Sequence, residues 1–543
     1  MAGMVDSLKF WNWGKKKPVV QADFTGYNTG GGQYRTLFSF IYNGEKNLGE
    51  VGPPKDYIID FGVLRVRSWQ MFIESDMASI VLSKFCHWVI GRGLRLQCEP
   101  AVDVLGDSGV SVDAQKFSKS VEARFRLFCR SRNSTYSKEK NLFRLQRVAM
   151  INAKVGGDAL VIIRYDEETG VNVQVIDGAH VVNPLKAGAV NAAYWSAIES
   201  NGNRIENGIE LNKRNEHIAY YVRKAGTVDT TRVPAIGPAS GMRQAYMVYG
   251  SEYRIDDMRG LPLISVVIET IKKLERYKEA TVGSAEELAK IVYQVVHQQY
   301  STGESPLNDN IVKAFDADKN SDLPTDTLGN ELANTIRVST NKQAVNNPRG
   351  AEIKTINSNK YQLYFKDFFG INADMICAAV RIPPDVAFSK YNANYSASRA
   401  AIKDWEHTLL VERDDFGDQF MRPIFEFWFR IQVLSNKINA PGYLQAWINK
   451  DYDVLEAYHN SRWAGTAVPH IDPEKEVKAE RLKLGESAKD MPLTTLEAST
   501  EALNGGEADS NMTQFAEELK ESKALGIKTE EPQPKPGKPA KQS

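Results

Sequence analysis

Gly156-Gly157-Asp158-Ala159-Leu160-Val161-Ile162-Ile163-Arg164-Tyr165 is the stretch that decides the fold class of this 543-residue chain. A glycine pair opens a run of five apolar residues rich in β-branched side chains, the pattern of a buried strand entered through a turn. Downstream, Val171, Val173 and Val175 alternate with polar residues, and His217-Ile218-Ala219-Tyr220-Tyr221-Val222 continues the β signal. Upstream, the spacing predicts helices over about Asp113 to Cys129 and Leu142 to Val155. Short helices beside a largely antiparallel sheet make an α+β region.

Working outward, Leu64, Trp69, Phe72, Ile73, Ile80, Phe85 and Val89 predict one helix from Val63 to Ile90, ended by Gly91-Arg92-Gly93. Leu94 to Cys98 then alternates like a strand. From Pro262 the character changes. Leu263, Val266, Val267, Thr270, Ile271, Leu274, Tyr277 and Thr281 form a stripe that Leu288, Ile291, Val292 and Val295 resume. As one helix, Leu263 to His297 is about 50 Å long at 1.5 Å per residue. Ser284-Ala285-Glu286-Glu287 is the competing signal, a capping box that would start a separate helix.

Residues 300–355 are polar and turn-rich, an inserted subdomain or exposed loop between helices, since Leu363 to Val380 is helical again. Ile382-Pro383-Pro384 stops that helix, because proline disfavours α backbone in the residue before it. A long helix begins near Ser396, with Ile402, Trp405, Leu409, Phe416, Phe420, Ile424 and Phe427 as a core-facing stripe and Pro423 as a kink. Shorter helices are expected over Asn449 to Ser461, Pro473 to Leu484 and Thr494 to Leu503. Residues 1–50 read as an N-terminal arm. Residues 506–543, with Glu530-Glu531-Pro532-Gln533-Pro534-Lys535-Pro536, read as a disordered C-terminal tail.

Sixty-eight Lys+Arg balance 68 Asp+Glu, so the formal net charge is zero and a dedicated DNA clamp is disfavoured. Cys86, Cys98, Cys129 and Cys377 make no disulfide framework, which suits a reducing cytosol. No apolar stretch reaches the roughly 18 residues of a membrane span. Lys15, Lys16 and Lys17 follow Trp11 and Trp13, the reverse of a signal peptide's order. A flexible arm accounts for those tryptophans better than a membrane contact. The expectation is a soluble intracellular product with no targeting segment and no membrane association.

The chemistry-bearing motifs are missing. There is no G-x-x-x-x-G-K-[ST], and Gly91-Arg92-Gly93 lacks the third glycine of a dinucleotide fingerprint. The seven histidines are scattered without zinc spacing. Asp60-Phe61-Gly62 lacks a companion H-R-D and reads as a turn entering the first helix. Asp414-Asp415 are adjacent on a helix and do not face each other. The expectation is a non-enzyme with no catalytic residues, no metal and no cofactor.

Leu64-Arg65-Val66-Arg67-Ser68-Trp69, followed by Ile90-Gly91-Arg92-Gly93-Leu94-Arg95-Leu96, resembles the portal (head-to-tail connector) proteins of tailed bacteriophages, specifically the lambda-type family. Four more stretches match in order: Gly156-Gly157-Asp158-Ala159, Arg259-Gly260-Leu261-Pro262, Asn394-Tyr395-Ser396-Ala397-Ser398-Arg399-Ala400 and Ile471-Asp472-Pro473-Glu474-Lys475-Glu476. Together they cover about residues 60 to 500, and residues 300–355 and both termini match least.

The resemblance implies an α+β portal fold and a ring, usually of twelve copies, at one capsid vertex. Double-stranded DNA would enter through its channel at packaging and leave at ejection. It assigns residues 51–261 to a wing, 262–299 to a stem helix, 300–355 to a clip and 356–380 to a second stem helix. Residues 381–395 become a tunnel loop, 396–430 a wing helix and 431–505 a crown. Implied partners are other copies of the chain, double-stranded DNA, the major capsid protein, terminase and neck or head-completion proteins, in a virion assembled in host cytoplasm. Candidate channel contacts are Lys390 and Arg399 around the tunnel loop and Lys272 and Lys273 on the stem, with solvated or intersubunit charge as the competing reading. The stem helix sets Lys272, Lys273, Arg276, Lys278 and Lys290 against Glu269, Glu275, Glu279, Glu286 and Glu287, a balance that suits a conduit. The alternative is a non-ring adaptor or scaffold-type virion protein whose helices form an ordinary bundle.

Overall fold

The helix expected over Val63–Ile90 is two helices in the computed structural model, α1 (Phe61–Glu74) and α2 (Asp76–Ile90). Ser75 makes the break. Its backbone is extended and its hydroxyl accepts from Ala78 N at 3.4 Å, the geometry of an N-cap. After α2 come β1 (Arg95–Cys98), α3 (Val102–Asp107), α4 (Ala114–Arg130) and α5 (Leu142–Gly156). Asp113 and Asn141 cap α4 and α5 by accepting from Lys116 N and Arg144 N. The structure describes residues 60–525 except 185–196, 199–201, 225, 239, 254–257, 296–334, 340–341, 347–358, 391–394, 469–472, 486–490 and 507. The arm expected over residues 1–50 and the proline-rich stretch from Glu530 lie outside the described residues.

The deciding strand is β2 (Asp158–Asp166), followed by β3 (Gly170–Asp177), β4 (Ala197–Ile198), β5 (Arg204–Glu206), β6 (Ile209–Leu211), β7 (His217–Arg223), β8 (Thr230–Pro234) and β9 (Ala245–Tyr249). They form two sheets, ordered β3-β2-β9 and β4-β5-β6-β7-β8, and every pairing in them is antiparallel. Leu160, Ile162, Ala245 and Met247 from the first sheet and Ile209, Leu211 and Tyr220 from the second share one buried cluster. The expected antiparallel α+β region is therefore present.

Residues Val267–Ala378 form a separate unit in a chain whose first unit comprises Met1–Val266 and Ala379–Ser543. The second unit holds α6 (Ile268–Lys290), β10 (Ile291–Val295), β11 (Thr335–Ser339), β12 (Lys342–Asn346) and α7 (Asn359–Ala379). Helix α6 runs unbroken through Ser284-Ala285-Glu286-Glu287, so the capping box does not start a new helix. It also ends at Lys290, short of the expected His297. Ile291-Val292-Tyr293-Gln294-Val295 instead pairs in parallel with β12, where β-branched and aromatic side chains favour a strand once a partner exists. Tyr277 packs on Phe368 at 4.6 Å and Phe365 at 5.6 Å, joining α6 to α7.

The chain re-enters the first unit with α8 (Pro384–Phe388), inside the segment expected as a loop, then α9 (Tyr395–Phe416), a π-turn (Gly417–Met421) and α10 (Arg422–Leu434). Pro423 offers no N–H to the turn before it, and the helix adapts by widening there rather than by breaking. The Tyr246 hydroxyl donates to the Phe420 carbonyl at 2.8 Å, and Tyr249 N donates to Gln419 Oε1 at 2.9 Å, fastening β9 to this turn. Trp405, Leu409, Phe416, Phe420, Ile424 and Phe427 are buried, so the aromatic stripe is core. Phe125 of α4 meets Trp428 at 5.0 Å and Phe425 at 5.4 Å within it.

The remaining elements are α11 (Tyr443–Asn449), α12 (Tyr452–His459), β13 (Ser461–Ala464), α13 (Pro473–Leu484), α14 (Leu496–Asn504) and α15 (Ala508–Ala524). The helix expected over Asn449–Ser461 starts only after Asp451, whose carboxylate caps Val454 N, and Ser461 instead pairs antiparallel with Cys98 of β1. The tail expected from residue 506 is helical over Ala508–Ala524, where Met512, Phe515 and Leu519 recur at helical spacing without a proline.

Candidate functional site

Three of the sequence motifs converge on one buried carboxylate. Asp158, at the start of β2, is fully buried, and Arg65 and Arg259, which enclose it, are buried to within about 5%. Arg259 binds it with two donors, Nε to Oδ2 at 2.6 Å and Nη2 to Oδ1 at 2.9 Å. Arg65 Nη2 donates to Oδ1, and its Nη1 donates to the Asp158 carbonyl at 3.1 Å and to Asp177 Oδ1 at 2.9 Å. Gly260 N adds a donor at 3.2 Å. Arg259 spends its remaining N–H groups on the carbonyls of Gly178, Val181 and Asn207 at 2.6–3.0 Å, so it ties β2 to the second sheet's connections. Burial alone would raise the Asp158 carboxyl; the attraction of Arg259 and Arg65 outweighs it and holds the group below the usual carboxylate range.

Two guanidiniums face two carboxylates, and the cluster is neutral. The glycines beside it are there for close approach. Gly157 sits at φ +102°, and a Cβ on it would lie 2.5 Å from the Gly260 carbonyl oxygen. Gly250 N donates to Gly157 O at 2.7 Å in the same crossing. A second ion pair is buried, Lys154 Nζ donating to Glu412 Oε2 at 2.7 Å, and the exposed Arg381 reaches the same carboxylate, Nη1 to Glu412 Oε1 at 3.0 Å. Through Glu412, the start of the 381–390 segment is fixed to α5 and α9.

That segment carries the first candidate channel cation. Ile382, Val386 and Ala387 are buried, Ser389 takes a left-handed backbone at φ +54°, and Lys84 Nζ donates to Ser389 Oγ at 3.0 Å. Lys390 follows, exposed, with its N–H donating to Asp385 O at 3.0 Å and its ammonium 5.9 Å from the Phe388 ring centre. Arg399 lies in the first turns of α9, and its side chain falls outside the described residues, as do residues 391–394. Lys272 and Lys273 are both exposed on α6 in the second unit. Lys273 Nζ lies 3.3 Å from Glu269 Oε1, and Lys278 Nζ 3.7 Å from Glu275 Oε2, so this helix compensates part of its own charge. The structure brings the stem pair together on one helix; Lys390 belongs to the other unit.

Asp60 of the kinase-like triplet accepts from Val63 N at 3.0 Å and caps α1, as a turn entering the helix would. Glu426, Glu456 and His459 place ligand atoms within 4.8 Å of one another. Arg422 already binds both carboxylates, at 3.1 and 2.5 Å, and His459 Nε2 lies 2.7 Å from the Tyr443 hydroxyl. The donors of this trio are thus engaged by protein groups. Burial, with help from Arg430 and Arg422, pushes the His459 imidazole down to about 3. Among the described residues no helix is long and apolar enough to cross a membrane.

Comparison with known proteins adds a family. The family model for phage portal protein, lambda family, matches residues 49–413. No curated protein matches. Among solved structures, the chain is similar to the neck of an empty gene transfer agent particle computed with C6 symmetry, at 10% identity and a TM-score of 0.40, covering 81% of this chain and 93% of that one. It is also similar to the virion of a native gene transfer agent particle, at 10% identity and a TM-score of 0.40, covering 86% and 98%. The neck of the native particle computed with C12 symmetry matches at 10% identity and a TM-score of 0.35, covering 87% and 99%. Because the family model spans about two thirds of the chain and takes in the Arg65, Asp158 and Arg259 motifs, the chain belongs to the lambda family of phage portal proteins.

Proposed function

We propose that this chain is the subunit of a closed ring at a capsid vertex, through which double-stranded DNA is packaged and later ejected. Family membership over residues 49–413 is the observation that carries this reading. The order of elements fits it: the second unit is inserted in sequence between the two parts of the first and presents helix α6, a sheet and helix α7. In this reading α6 and α7 are the stem, residues 300–355 the clip, 381–395 the tunnel loop, 396–430 the wing helix, and 431–505 the crown. A head-to-tail contact whose rotation closes yields such a ring, usually of twelve copies in this family.

The chemistry needed is passive. Each phosphate neutralised by the wall adds counterion-release free energy that movement must undo. The Glu269–Lys273 and Glu275–Lys278 pairs lower the net field of α6, which favours sliding over capture. Lys390 and Arg399, with Lys272 and Lys273, are the proposed channel contacts. The ring is a structural component rather than an enzyme and docks terminase during packaging, neck proteins afterwards and the major capsid protein around its rim. The test is genetic complementation of particles lacking the chain. The expected result is capsids without DNA that are filled when the chain is restored; DNA-filled capsids in its absence would refute the role.

A further inference from the structure

The zero net charge hides a segregation. Residues 114–147 hold ten Lys+Arg against two Asp+Glu, a net charge of +8 within 34 positions. One of the two acids, Glu122, is spent on the backbone, accepting from Cys98 N at 2.7 Å. Lys116 and Lys119 are paired, with Asp113 at 3.0 Å and Asp509 at 2.8 Å. Among the described residues, Arg124, Arg130, Arg132, Lys138, Arg144 and Arg147 have no carboxylate in ion-pair contact, and all six are exposed.

Their setting is rigid. Arg124 and Arg130 are exposed positions of α4, Arg132 opens the short 3-10 turn Arg132–Ser134, and Arg144 and Arg147 lie one turn apart on α5. The connection between the helices is held by Thr135 Oγ1 donating to Lys140 O at 2.6 Å and by Tyr136 N donating to Val173 O at 3.0 Å. The Arg164 guanidinium rests on the exposed Tyr136 ring at 5.0 Å, placing another cation beside them.

We infer that this surface binds the phosphate backbone of duplex DNA, at a place separate in sequence from the four channel candidates. The inference rests on the portal reading, which supplies the DNA. Five of the six cations are arginine, whose planar donors match phosphate oxygens. A net charge of +8 over residues 114–147, with six exposed cations that no carboxylate among the described residues neutralises, is the charge complement of a polyanion. The contacts would be independent of base sequence.

The experiment measures binding of the full-length chain to a fluorescent duplex of about 12 base pairs by anisotropy, from 50 to 200 mM salt, with two unrelated base sequences. Six phosphate contacts predict an affinity that falls by about 10³-fold across this range, and equally for both sequences. The exposed-site variant combining Arg130→Gln, Arg132→Gln, Lys138→Gln and Arg144→Gln retains two contacts and should fall by only about tenfold. A wild-type affinity insensitive to salt, or a variant with the wild-type slope, overturns the inference, even if rings still package DNA. A variant that keeps the slope but no longer forms rings overturns it too, and makes the surface a contact between copies. Should the wild type never form rings yet show the steep slope, the DNA surface stands and the portal reading falls.

Discussion

Replacing Asp158 by Asn removes one charge from the buried cluster while keeping the shape. Two guanidinium groups, each about 5% exposed, are then left with Asp177 alone, which is 32% exposed and, of the two, pairs only with Arg65. At about 4 Å and an effective dielectric of about 20, each lost attraction is about 4 kcal/mol. Against the two attractions stands the several kcal/mol needed to desolvate the carboxylate. The net loss is about 3–5 kcal/mol, the range seen when one partner of a buried pair is removed. With an unfolding entropy of about 2 cal/mol/K per residue, a first unit of roughly 400 residues should melt about 4–6 °C lower. Calorimetry at fixed scan rate reads this shift. Asp177→Asn, at the solvated edge, should cost about 1 kcal/mol. A melting temperature for Asp158→Asn within about 1 °C of wild type, or a larger loss for Asp177→Asn, would refute the claim that Asp158 organises the unit. The pH dependence has a fixed sign. The folded Asp158 is held below its unfolded range, so its stabilisation is present above the unfolded value near 3.8 and is lost as the pH falls through the lower folded value.

Three further outcomes are expected. His459 is held neutral by burial at about 3, so the unfolded chain takes up its proton first below about 6.5, and stability falls by about 1.4 kcal/mol per pH unit from there down to about 3. His459→Gln should flatten that slope in acid unfolding curves; an unchanged slope would assign the acid sensitivity to other groups. Gly260→Ala puts a methyl group against the Gly157 carbonyl in a backbone crossing that has no side chain to yield, and should lower the yield of folded protein more than Gly106→Ala, whose Cβ meets nothing within 4 Å. Lys390→Ala should alter packaging or DNA retention while rings still assemble, read by counting filled capsids; normal packaging and retention would count against the tunnel-loop assignment.

Local signals were legible where local chemistry decides. Helices α4, α5 and α13 fall close to their expected bounds because side-chain caps or an initial proline mark their starts. The errors arise where a distant partner decides. Ile291–Val295 continues a helical stripe by spacing, yet β12, about 50 residues on, claims it as a strand. Ser75 looks like any polar position in a helix until its hydroxyl caps the next one. The charge cluster was visible only as short motifs in a family resemblance, since Arg65 and Arg259 lie 93 and 101 residues from Asp158 and no spacing rule connects them. Bulk charge concealed the basic stretch 114–147, which a running sum over about 30 residues reveals.

The central claim is a closed ring, and native mass spectrometry of the purified full-length chain tests it most directly. Twelve copies of the 60.8 kDa chain predict a single species of about 730 kDa. Monomers or dimers that persist even when the chain is coexpressed with capsid components would contradict it.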